Sequence, residues 1–220
     1  MSYQPEYHSL ADLPATLNLF PLTSALLLPG CFLPLNIFEP RYLDMVDDAM
    51  SSNRMIGMIQ PRHGDDSNPP LYQIGGAGRI VAYQETTDGR MHITLQGICR
   101  FQVTEELVFD GLFRRAQVDF GPFAGDLEEE VDPGIDRARL LETFRQFLNV
   151  HDLETDWEAI EESSTPFLVN NLAMNSPYGP AEKQALLEAP DLKTRCETLI
   201  AITQMSLVDE LGSSGGVGLQ

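Results

Sequence analysis

Apolar and polar positions fall into two kinds of pattern along this chain. From Thr16 to about residue 120 the apolar residues come in short runs of strand length. TLNLFPLTSALLL at 16–28 is apolar and β-compatible, but Pro21 lacks a donor for the ladder and predicts an edge or a bend. Residues 33–37 repeat the pattern. The spacing then changes: Glu39 precedes Pro40, and Tyr42, Met45, Val46, Ala49 and Met50 recur at helical intervals, which predicts an amphipathic helix over about 40–52. Short strands are expected at 55–60, 71–84, 102–109 and 112–120. Residues 90–101, RMHITLQGICRF, alternate Met91, Ile93 and Leu95 with His92, Thr94 and Gln96, as a strand with one buried face does. Asp88-Gly89 between two such runs predicts a hairpin.

From Asp126 the pattern is helical. DLEEEVDP reads as an acidic link, with Asp132-Pro133 as a cap and first turn. Leu140, Leu141, Phe144, Phe147 and Leu148 form one apolar face, Thr155–Glu158 carries a capping-box pattern, and Thr165-Pro166, Gly179-Pro180 and Asp191 open three more helices. The expected fold class is α+β: a small antiparallel barrel with one inserted helix, followed by a helical bundle. The expected organisation is an N-terminal extension at 1–15, a β-rich subdomain at 16–125, the bundle at 126–211 and a disordered tail at 212–220, where the sequence is rich in glycine and serine.

Charge narrows the partners. The net charge is −19, from 33 acidic and 14 basic residues, and both halves are acidic. Nucleic-acid binding depends on basic residues that neutralise phosphates, so no nucleic-acid partner is expected, and the same field opposes anionic membranes. No apolar run is long enough for a spanning helix, and the N-terminus lacks the pattern of a signal peptide, which points to a cytoplasmic protein. Cys31, Cys99 and Cys196 are widely spaced without a CxxC, and no metal site or cofactor is expected.

No catalytic motif stands out. The glycines of residues 74–78 (IGGAG) are followed by a strand-like segment rather than a helix, so they read as a bulge or sharp bend and not as a phosphate loop. Glu128, Glu129 and Glu130 read as solvated carboxylates, and Trp157 as a core residue. A hydrolase would have to recruit His63 or His92 as base and Ser24 or Cys31 as nucleophile from distant positions. Arg100, at the end of the best-patterned strand, is expected to pair within the chain, with Glu39 as its candidate mate.

Motifs in series carry a resemblance. NLFPL at 18–22, LPG at 28–30, LPL at 33–35 and IFEPRY at 37–42 resemble the N-terminal domain of the ATP-dependent protease Lon, as do GICRF at 97–101 and QIG at 73–75. EKQALLE at 182–188, with Asp191 and Arg195 after it, is similar to that family's helical ending, so the resemblance covers roughly 16–210. It implies a PUA-like pseudo-barrel followed by helices, and a non-catalytic module that binds polypeptide or a regulatory protein, a cellular protease among the partners. The family's ATPase and Ser-Lys protease chemistry lies in other modules; no GxxxxGK[ST] occurs here, and the two lysines, Lys183 and Lys193, both fall in the helical ending. The alternatives are a small hydrolase or, by fold analogy, an RNA binder. The residues singled out as a partner-binding surface or structural corner are Phe38, Glu39, Arg41, Tyr42, Arg100 and Phe101, with Phe38 and Tyr42 expected to pin the corner.

Overall fold

Six strands form where apolar runs are short and bounded by turn residues: β1 (Thr16–Pro21), β2 (Phe32–Ile37), β3 (Met55–Ile59), β4 (Ile74–Glu85), β5 (Met91–Leu107) and β6 (Arg114–Asp119). The computed structural model describes residues 7–62, 68–108, 110–128, 134–153 and 155–214, with 209–214 described by backbone alone. The cap expected at Asp132-Pro133 and the end of the expected tail lie outside the described residues. Contacts divide the chain into two compact units, Met1–Glu130 with Pro177–Leu187, and Val131–Ser176 with Glu188–Gln220.

In the first unit the strands form one sheet in the order β2-β5-β4-β3-β1-β6, and β6 pairs again with β5. β5 is long enough to serve twice: its first part lies between β2 and β4, and residues 102–107 pair with β6. The ring β5-β4-β3-β1-β6 therefore closes, leaving β2 as an added strand. Two expectations are corrected here. Residues 90–101 and 102–109 are not separate strands, because no turn residue interrupts them; a register shift at Val103/Glu105 bends one continuous strand instead. Nor is the sheet wholly antiparallel: β1 and β3 run parallel. The connection between them contains helix α1 (Pro40–Met50), the kind of crossover that parallel neighbours require. Hydrophobic alternation reports which face is buried and carries no record of strand direction.

Inside the ring Leu17, Leu19, Met55, Ile59, Ala116 and Phe120 pack around Phe101, which is fully buried. Phe101 meets Phe120 edge-on at 6.3 Å. The stretch 25–28, read as strand-compatible, is not a strand, yet Leu26, Leu27 and Leu28 are all buried. Its backbone crosses the sheet where β4 and β5 carry glycine: a Cβ on Gly76 would overlap the Leu27 carbonyl, and one on Gly97 the Leu28 carbonyl. The glycine cluster thus admits a buried loop. A register shift between Ala77 and Gly78 accompanies it, as the bulge reading anticipates.

The remaining helices are α2 (Arg137–Val150), α3 (Trp157–Glu162), α4 (Thr165–Asn175), α5 (Pro180–Glu188) and α6 (Leu192–Ser214). Their starts follow capping chemistry: Asp136 accepts from the Arg139 amide, Asp156 from Ala159, Ser164 from Phe167 and Asp191 from Thr194. Within the second unit α6 packs on α2 and α4, and Arg195, 2% exposed, donates to the Asn170 side chain at 2.8 Å. Trp157 is half-buried rather than core, with the Arg145 guanidinium 4.5 Å from its ring. Pro177–Leu187, expected among the helices of the bundle, groups with the sheet unit.

Candidate functional site

The corner between β2 and α1 is built by Pro40 at the first turn of the helix, where a missing N–H costs no hydrogen bond. Glu39 occupies the cap position but makes no side-chain cap bond; its carboxylate instead accepts from Arg41, at 3.0 Å from Nε and 2.8 Å from Nη2. Both side chains are more than 40% exposed, so the pair is held weakly against water. Arg41 also lies 4.5 Å over the ring of Tyr42. Tyr42 is buried against Phe20, ring centroids 4.3 Å apart, and its hydroxyl donates to the Pro21 carbonyl at 3.4 Å. Burial raises the Tyr42 pKa, so the phenol stays a neutral donor. Phe38 does not pin the corner: it is 61% exposed, with Arg90 6.0 Å from its ring. Ile37 takes the buried position at the end of β2, and the alternation turns its neighbour outward.

Beside this corner lies a groove of about 630 Å³. Its walls are Pro21, Tyr42, Pro61, Pro69, Leu112 and Phe113; Thr23, Arg41, Asn68 and Arg114 add polar groups. Leu112 is 66% exposed. Arg114 donates to Glu106 through Nε and Nη2 and to the Pro69 carbonyl through Nη1 at 2.6 Å, which fixes the groove's wall. Sequence reasoning missed Arg114 and Leu112 as groove residues, since it places both in a strand over 112–120 whereas β6 begins at Arg114; the dipeptide Arg114-Arg115 on an acidic chain is the available signal.

Arg100 and Phe101 belong elsewhere. Arg100 is 3% exposed and does not meet Glu39. Its Nε and backbone N–H donate to Asp126 Oδ2, both at 2.9 Å, and its Nη2 donates to Oδ1 at 2.8 Å. Nη1 donates to the Leu187 carbonyl, and the guanidinium lies 4.5 Å from the Phe123 ring. A buried guanidinium needs an acceptor for each face of its fork; the exposed Glu39, already held by Arg41, offers none of them. Asp126 was hidden in what read as a solvated acidic link. Gln60, fully buried, was also missed: it accepts from the Ser24 amide and donates to the Pro180 carbonyl and to Gln184, whose own amide donates to Ile74. Arg100 and Gln60 thereby fasten α5 to the strands.

The geometry brings no catalytic set together among the described residues. Cys31 is buried, and the Ser24 amide is held by Gln60. His92 lines a different hollow, with Asn36, Tyr83 and Thr94. His63 lies outside the described residues. Burial pushes the Cys99 thiol up to about 12, far from a reactive thiolate. No group of three candidate ligands able to hold a metal occurs among the described residues, and no described helix is long and apolar enough to cross a membrane.

Comparisons with known proteins bear on the whole fold. Lon protease 2 of Myxococcus xanthus is 28% identical over 197 residues, an alignment that covers 87% of this chain and 24% of that protein. The chain thus spans about a quarter of the curated relatives it matches. A crystal structure of a Lon N-terminal domain protein from Xanthomonas campestris superimposes with a TM-score of 0.59 at 26% identity, covering 84% of this chain and 97% of that one. The N-terminal domain of a Mycobacterium avium complex Lon protease gives a TM-score of 0.62 at 20% identity, covering 86% and 98%, and supports the fold alone. The family model of the ATP-dependent protease La (LON) substrate-binding domain matches residues 16–204, and the chain belongs to that family.

Proposed function

We propose that this protein is a polypeptide-binding module that holds an extended or unfolded segment in the groove beside Tyr42 and makes it available to a proteolytic partner in the cytosol. The observation that carries this reading is the groove: its volume falls within the range of ligand sites, and its walls are rigid apolar rings and prolines with a few polar groups between them. Membership of a family described by substrate binding supports the same reading. Prolines contribute no N–H, so a guest is gripped there by its side chains more than by a shared ladder. Three buried cysteines, none of them in a disulfide, accord with a reducing compartment.

The test is binding of a reduced, carboxymethylated protein, labelled with a fluorophore, to the full chain. Micromolar affinity is expected, falling about tenfold in Leu112→Asp, which places a charge on an exposed apolar wall without disturbing the core. Absence of saturable binding at concentrations of about 100 μM, or an unaltered affinity in Leu112→Asp, contradicts the proposal.

A further inference from the structure

Resting on that reading of the groove, we infer that it selects polypeptide segments in which an acidic side chain is flanked by apolar residues, with Arg41 as the group that reads the carboxylate. Among the described residues the charge on the groove's lining is of one sign. Among its described lining residues there are two arginines and no acid, on a chain with 33 acidic residues and 14 basic ones. Guanidinium groups only donate hydrogen bonds, whereas Thr23 and Asn68 can donate or accept. A guest that engages the arginines must therefore bring acceptors, and a carboxylate matches the planar fork of arginine best.

The two arginines are not equivalent. Arg114 is committed to Glu106 and the Pro69 carbonyl and serves as framework. Arg41 is held through Nε and Nη2 by a single oxygen of Glu39, in a pair open to water on both sides. Exchanging that partner for an incoming carboxylate leaves Glu39 solvated rather than stranded, so the exchange costs little. The aromatic and proline walls around Arg41 exclude water from the guest's flanking side chains and strengthen the new pair. Elsewhere the acidic surface repels an acidic segment, and the long-range field works against capture away from the groove.

The experiment uses three fluorescein-labelled decapeptides of alternating leucine, phenylalanine and a variable residue, which is aspartate, asparagine or lysine, titrated against the full chain at low and physiological salt. The aspartate peptide is expected to bind about tenfold more tightly than its asparagine counterpart, with the advantage shrinking as salt rises. Arg41→Gln is expected to erase that advantage, weakening the aspartate peptide about tenfold more than the asparagine peptide. Glu39→Gln, which releases the guanidinium, is expected to tighten the aspartate peptide about two- to threefold. Arg90→Gln removes the same charge from an exposed pair outside the groove and serves as the control. Equal affinity for the aspartate and asparagine peptides, or an aspartate affinity indifferent to Arg41→Gln, overturns the carboxylate preference and leaves polypeptide binding standing. Failure of all three peptides together with the unfolded protein overturns both.

Discussion

Arg100 carries a charge into a site 3% exposed, where three donors meet one carboxylate and a fourth meets a backbone carbonyl. Its worth lies in completeness, because a half-satisfied ion pair in low dielectric is worse than none. Arg100→Met is accordingly expected to cost about 3–5 kcal/mol in urea denaturation, and adding Asp126→Leu to restore a substantial part of it; a double variant as unstable as the sum of the singles would refute the coupling. Lys183 is a second buried charge, 4% exposed, and desolvation lowers its pKa to about 8 from 10.5. The folded-state value is depressed for a base, so between pH 8 and 10.5 the unfolded chain binds more protons and stability rises with pH. Lys183→Met should remove this slope: relative to that variant the parent is expected to gain about 2 kcal/mol between pH 7.5 and 10, measured by denaturation at each pH.

Elements were legible in proportion to how unevenly they are buried. α1 and the first half of β5 each show one face to the core, and their buried residues, Tyr42, Met45, Val46 and Ala49, and Met91, Ile93 and Leu95, are among those the periodicity picks out, which adds only the half-buried Met50. The segment Leu26–Leu28 is buried all round and so has no period; only the sheet's glycines reveal what it does. Gly76→Ala and Gly97→Ala are each expected to destabilise by more than about 2 kcal/mol, because the obstacle is backbone that cannot rotate away; Gly125→Ala, where a Cβ meets nothing within 4 Å, serves as the reference, and thermal melts distinguish them. The corner was legible as a corner, since Pro40 and the change of period mark it. Which of its residues face outward was not, because Phe38 and Tyr42 differ only in where the chain turns between them. The groove was illegible for a different reason: its walls come from β1, α1, the segments around Pro61 and Pro69, and the start of β6, which only the closed ring brings together.

At the scale of the whole molecule, the change from strand-like to helix-like sequence near residue 126 does not coincide with the division into units. Pro177–Leu187 returns to the sheet unit, held by Gln60, Gln184 and Arg100, so the chain passes between units at 130/131, 176/177 and 187/188. A fragment ending at residue 130 leaves the buried Gln60 amide and the Arg100 fork short of partners, and is expected to be several kcal/mol less stable than the full chain; a sheet-unit transition equally cooperative and equally stable in that fragment would contradict this. The same return sets an order of events during synthesis. A ribosome delivers the strands first and α2, α3 and α4 next, but the sheet unit lacks its last piece until Leu187 has left the exit tunnel. Nascent chains arrested before that point hold two unfinished units at once, the first waiting for α5 and the second for α6, so neither matures before synthesis of the other is well under way.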